Sequence, residues 1–197
     1  MYDQSYNKTT LNNVIRRCDY YGVPVPDREK YRIDLINLAV SSAALAFNAV
    51  CPIEKIHLKK KPAYKVTETH DQLLLRKLGD NLKRYLKINP SSRSRATNSL
   101  QCLLEENVPY YVVRLDIKGF YESIDSKKLL EKIKLIPSLN PYSKKQLTNL
   151  FSHFEKIGGS GVPRGLGISS VLSDLAMQDF DLEIAAHSKI YYYARYV

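Results

Sequence analysis

The sequence predicts an α+β fold, with helices packed on one face of an antiparallel sheet. Residues 110–116 are a nearly continuous run of apolar and β-branched side chains, the pattern of a central strand covered on both faces. Leu74, Leu75, Leu78, Leu82 and Tyr85 recur at helical spacing. A glycine-dense loop, GGSGVPRGLGISS, feeds a further apolar helical stretch.

The elements follow in order. A helix runs from about Glu29 to Val50, starting at Asp27 or its neighbours; Ala39, Ser41, Ser42, Ala43, Ala44 and Ala46 let another element approach it closely. The stretch 35–53 has no charge, but Asn37, Ser41, Ser42, Asn48 and Pro52 make it a buried helix rather than a membrane span. Residues 54–69 are basic and partly β-like, with a solvated KKK edge at 59–61. A helix covers about 70–86. Pro90, Ser91 and Ser92 then make a turn from which Arg93 and Arg95 project, and a third helix covers about 95–107. After the strand 110–116, Asp125 or Ser126 caps a short helix ending near Ile133. SKKQ at 143–146 fits a capping box, and its helix stops at Gly158 and Gly159. A helix over 170–186 turns Leu172, Leu175, Ala176 and Ile184 inward. A last strand, KIYYYARYV, alternates Tyr191, Tyr193 and Arg195 with Tyr192, Ala194 and Tyr196.

The 197 residues suffice for one domain with a substantial core. Thirty Lys and Arg against 20 Asp and Glu leave +10, which favours a polyanionic partner, nucleic acid before a membrane surface. Cys18, Cys51 and Cys102 lie far apart and the four His share no ligand spacing with them. That argues against a disulfide framework or a zinc knuckle. With a polar N-terminus and no signal peptide, a cytoplasmic location is expected.

The residues that carry chemistry start with Asp116, which ends the predicted buried strand. A lone buried charge costs several kcal/mol unless compensated, in order-of-magnitude terms. The Asp116 carboxylate and the Ile117 carbonyl are hard oxygen donors of the kind Mg2+ takes. Taken alone, Asp116 reads better as a cap or as a partner for Arg114. Phe120 and Tyr121 follow; one reads as core, and the Tyr121 ring can wall the sugar side of a nucleotide and exclude a 2′-hydroxyl. The loop GVPRGLGISS brings backbone N–H groups close to a base pair or phosphate, and Arg164 adds a positive fork beside Gly165. Arg93 and Arg95 can clamp a triphosphate. Singly, each of these residues is more often structural.

As a set they are specific. RLDIKGFYESI, then GVPRGLGISSVLSDL, then YYYARYV resembles the reverse transcriptases over residues 60–197, in the order fingers, motif A, motif B, motif C. Asp116 stands at the metal-ligand position of motif A and Tyr121 at its sugar gate. Arg164 replaces the usual Gln of motif B, and Ser169-Ser170 the usual Ser-Pro. PRGLGIS and the MYDQSYN start resemble the bacterial defence-associated and abortive-infection enzymes, among them the first polymerase of the type 3 defence-associated systems.

The resemblance implies an N-terminal helical extension (1–55), a fingers-like region (56–110) and a partial palm (111–197), with the thumb absent. It implies an RNA-directed DNA polymerase of antiviral defence that uses Mg2+, dNTPs and an RNA template, and makes a DNA product. A structured non-coding RNA and a second polymerase subunit are implied partners; a membrane is not. Motif C normally continues into two aspartates, whereas this chain stops at Tyr196-Val197. Two-metal transfer needs carboxylates from both motifs. The chain is therefore expected to be inactive alone, a truncation or one part of a longer protein. The rival reading is a non-catalytic nucleic-acid-binding or assembly module on a polymerase-like scaffold, which the basic balance and 15 Tyr suit. Tyr121 disfavours an RNA-dependent RNA polymerase.

Overall fold

The computed structural model describes residues 2–47, 53–58, 61–86 and 93–195. Among the described residues the chain is mixed α+β: eight α-helices and one two-stranded antiparallel sheet. The helices are α1 (Lys8–Asn12), α2 (Arg28–Leu45), α3 (Thr69–Leu86), α4 (Arg93–Glu105), α5 (Phe120–Ser123), α6 (Ser126–Lys134), α7 (Pro141–Lys156) and α8 (Ser169–Ala186). The sheet pairs β1 (Ile53–Leu58) with β2 (Lys61–Val66), in a register that sets Ile53 opposite Val66 and Lys55 opposite Tyr64.

One cluster of buried side chains runs through α1, α2, the hairpin, α3, α6, α7 and α8, and includes Leu11, Leu35, Tyr64, Leu78, Phe151 and Leu172. It crosses residue 55, so the first helices share their core with the later ones. α3 buries Leu74, Leu75, Leu78 and Leu82 of the face its spacing predicts, and Leu73 as well; the Tyr85 side chain lies outside the described residues. Each such side chain contributes about 1.5–3 kcal/mol on burial. α2 packs on α3 through Ala39 and Ala43, and Ser42 Oγ donates to the Asp71 carboxylate at 2.9 Å. No described helix is long and apolar enough to cross a membrane.

The N-terminal segment is held across α3 and α7 by polar groups. The buried Lys77 ammonium donates to the Tyr2 hydroxyl at 3.0 Å and to the Asp3 carbonyl at 2.6 Å. Asn81 donates to the Gln4 carbonyl at 3.0 Å and to Ser143 Oγ at 3.2 Å, and Ser143 Oγ shares a 3.1 Å bond with the Tyr6 hydroxyl. Burial pushes the Tyr6 phenol well above its ordinary value, only partly offset by Ser143. Below this segment, the buried Asp19 carboxylate receives two Arg76 nitrogens at 2.6 and 2.8 Å.

Several expectations need correction. α2 stops at Leu45, short of Val50, because Ala46 and Phe47 turn into the left-handed region. α7 holds that turn: Asn149 Nδ2 donates to the Ala46 carbonyl at 2.7 Å, and His153 Nε2 lies 2.6 Å from the Phe47 carbonyl. α7 begins at Pro141 rather than at a 143–146 capping box. Its cap is Asn140, whose side chain accepts from Tyr142 N–H, and Ser143 and Gln146 are buried. Asp125 caps α6 as expected, accepting from Lys127 and Lys128 N–H.

The largest correction concerns the sheet. Residues 110–116 and 190–195 are not strands, and the sheet among the described residues is the β1–β2 hairpin. A central strand needs a neighbour on both edges. Without one, its apolar side chains stand in water: Val113 is 78% and Leu115 81% exposed. The antiparallel sheet that exists is the basic hairpin of residues 53–66. On the far half of α8, Phe180 and Leu182 are exposed, although Phe180 meets Tyr193 edge-on at 6.3 Å. The turn at 90–92, Lys59, Lys60, Tyr196 and Val197 lie outside the described residues.

Candidate functional site

The site forms where α5, the loop 159–165 and β2 meet. Gly119 turns the chain into α5, and Ser123 N–H closes on the Gly119 carbonyl at 2.9 Å. A four-residue helix does not hold itself. The loop holds it: Val162 N–H donates to the Tyr121 carbonyl at 2.8 Å. Gly161 makes this approach possible, at φ +73°; a Cβ there would collide with the Tyr121 carbonyl oxygen and stand 2.9 Å from Glu122 Cα. On its other side the loop docks on the hairpin. Tyr64 N–H donates to the Arg164 carbonyl at 2.8 Å, and a Cβ on Gly165 would lie 2.7 Å from the Tyr64 carbonyl oxygen. Backbone thus clamps the loop between α5 and β2.

Side chains complete the cluster. The Arg164 guanidinium sits 5.7 Å from the Tyr121 ring centroid, a cation over an aromatic face. It also reaches the Glu122 carboxylate at 3.2 Å. Its Nε is buried and has no acceptor among the described residues. Phe120 meets Tyr121 edge-on at 5.5 Å, and both rings are half-buried. Beneath the loop, Tyr64 packs edge-on against Phe154 at 4.7 Å. Burial first, and the Glu122 charge second, raise the Tyr64 phenol.

The structure therefore brings together Phe120, Tyr121, Arg164 and Gly165. Arg164, expected as a positive fork for a phosphate or base edge, also pairs with Glu122, because the loop clamp sets the two side chains face to face. Glu122 and Tyr64 are the members that sequence reasoning missed. For Glu122 the sequence offers an acid directly after Tyr121, but nothing local pairs it with Arg164, which lies 42 residues on. Tyr64 lies in the KPAYKV strand, where it shares a buried face with Val66; Ala63, on the opposite face, is buried as well.

Asp116 and Ile117 do not join the cluster. Asp116 was expected to be buried at a strand end; it is exposed on the unpaired segment, and no described residue bonds its carboxylate. It makes no ion pair with Arg114 either. Among the described residues no sheet forms around it, and its carboxylate is not a buried charge for a metal to neutralise. One exposed carboxylate and the Ile117 carbonyl do not by themselves make the octahedral oxygen set that Mg2+ takes. Among the described residues no group of three or more His, Cys, Asp or Glu could hold a metal. Arg93 and Arg95 stand in the first turn of α4, and their side chains lie outside the described residues.

Charged and polar side chains hold the last segment. Arg195 spans Asp174 at 3.0 Å and Asp181 at 2.8 Å on α8, and Tyr193 donates to Asp181 at 2.8 Å. Burial and the Asp181 charge push the Tyr193 phenol up to about 12. Tyr192 points the other way and donates to the Ala96 carbonyl in the first turn of α4 at 3.0 Å. Tyr193 and Arg195 thus face α8 and Tyr192 faces α4, as the expected alternation has them; Tyr196 lies outside the described residues. The chain matches no protein-family model, no curated protein and no solved structure.

Proposed function

We propose that residues 1–197 are the N-terminal part of an RNA-directed DNA polymerase of bacterial anti-phage defence, which adds dNTPs to a primer by in-line phosphoryl transfer. One observation carries the reading. The two stretches that resemble motifs A and B meet through the Val162–Tyr121 hydrogen bond, with Arg164 over the Tyr121 ring. A half-exposed ring beside a guanidinium is a surface suited to a nucleotide, with the ring against the sugar and the cation toward base or phosphate. The Arg164 Nε has no acceptor among the described residues, which supports a further ligand for this side chain. Mg2+ is the cofactor that the resemblance implies; Asp116 would contribute one ligand, and the others would have to come from outside the described residues and from substrate phosphates. Positioning and charge neutralisation supply most of the catalysis in such transfers.

A specific observation also favours the second reading, a non-catalytic nucleic-acid-binding or assembly module: Asp116 is exposed and stands outside any acidic group. Primer extension separates the two. It is run on residues 1–197, on any longer reading frame that contains them, and on Asp116→Asn in each. The polymerase reading expects extension by the longer form, its loss in Asp116→Asn, and ribonucleotide incorporation raised about tenfold or more by Tyr121→Val, a change of about 1.4 kcal/mol in selectivity. Extension by no form, with nucleic-acid binding intact, establishes the module. Unchanged sugar selection in Tyr121→Val removes the gate assignment.

A further inference from the structure

Residues 126–145 carry six lysines and one glutamate, which is half of the net charge of +10 in a tenth of the chain. These residues span α6, the turn after it and the start of α7. Among the described residues only Lys132 has a carboxylate partner, Asp179 at 2.9 Å; Lys144 donates to the Lys134 carbonyl at 2.7 Å, which draws the two elements together. Lys127, Lys128, Lys134 and Lys145 are exposed, and no described carboxylate pairs with them. Neighbouring unneutralised ammonium groups repel one another, so nothing within the described fold rewards this crowding.

We infer that the α6–α7 lysine face binds the phosphate backbone of a nucleic acid, as a surface separate from the Tyr121–Arg164 cluster. α7 has 16 residues and so is about 24 Å long. The α6–α7 turn lies at one end of it and the loop 159–165 follows the other. The chemistry selects the partner. Lysines act as point charges, and no arginine fork or open aromatic ring stands among them; Tyr142 is half-buried against Tyr6. Such a face contacts phosphates without reading bases. A lipid surface fits less well, because α6 turns its apolar residues Leu129 and Ile133 into the core and leaves only Leu135 exposed at its end.

The test is the salt dependence of binding to a labelled mixed-sequence DNA duplex, read by fluorescence anisotropy on the full chain. Wild type is compared with a variant in which Lys127, Lys128, Lys134 and Lys145 are all replaced by Gln. A control variant replaces Lys8, Lys30, Lys83 and Lys189, which are also exposed and carry the same total charge. Each lost phosphate contact lowers the slope of log K against log salt by about 0.9, so the patch variant is expected to lose about 2–4 of slope. The control is expected to keep its slope, and far-UV circular dichroism checks that both variants fold. An unchanged slope in the patch variant overturns the inference, as does an equal loss in the control. Patch-dependent binding to anionic vesicles with duplex binding unaffected assigns the face to a membrane and overturns it too. Primer extension is scored separately from this slope, so failure of the lysine face and failure of the polymerase reading are distinguishable.

Discussion

Replacing Gly161 with alanine tests the contact that builds the candidate site. At φ +73° an alanine costs about 1–2 kcal/mol from its left-handed backbone. Its Cβ also falls on the Tyr121 carbonyl oxygen, so the loop must withdraw and the 2.8 Å Val162–Tyr121 bond is lost. That bond adds about 0.5–1.5 kcal/mol. The expected loss is about 3 kcal/mol. Gly167→Ala is the comparison, since that glycine lies outside the left-handed region and an added Cβ there meets nothing within 4 Å. Its expected change is within about 0.5 kcal/mol. Urea unfolding followed by far-UV circular dichroism suits a chain this helical, and a lower midpoint at constant slope reports stability alone. Equal midpoints for the two variants would refute the close approach of loop and α5, and with it the site.

Other outcomes follow from the charged pairs. Burial raises the Asp19 carboxyl, but the Arg76 guanidinium outweighs it and holds the group below its ordinary 3.8. The pair therefore contributes stability above about pH 4 that is lost as pH falls through the depressed folded value. Asp19→Asn is expected to cost about 3 kcal/mol at pH 7, with a deficit that narrows in thermal melts at lower pH; a deficit constant with pH refutes the pairing. The Arg164–Glu122 pair is part-exposed at 3.2 Å, so a double-mutant cycle with Glu122→Gln and Arg164→Gln should give a coupling of only about 0.5 kcal/mol in stability. A coupling above about 2 kcal/mol would mean that the pair is far better shielded from water than its exposure indicates.

Local pattern carried the helices and stopped at the sheet. The apolar face of α3, the Asp125 cap of α6 and the end of α7 before Gly158 all follow from neighbours a few residues apart, so spacing reveals them. The α2 terminus depended on Asn149 and His153, a hundred residues away, and no local signal marks them. Residues 110–116 show the limit most clearly. Composition records what surroundings a segment is suited to, and whether they exist depends on other segments. The site was half legible for the same reason: Tyr121, Arg164 and Gly165 stood out by residue type, whereas Glu122 became visible only when the loop folded onto α5.

The bare stretch from Val108 to Ile117 has a consequence for handling. Its N–H and C=O groups and its row of valines offer a ready template for a like ribbon on another molecule. Concentrating the chain therefore favours sticking through that ribbon, and turbidity should rise with protein concentration well before the helical core melts.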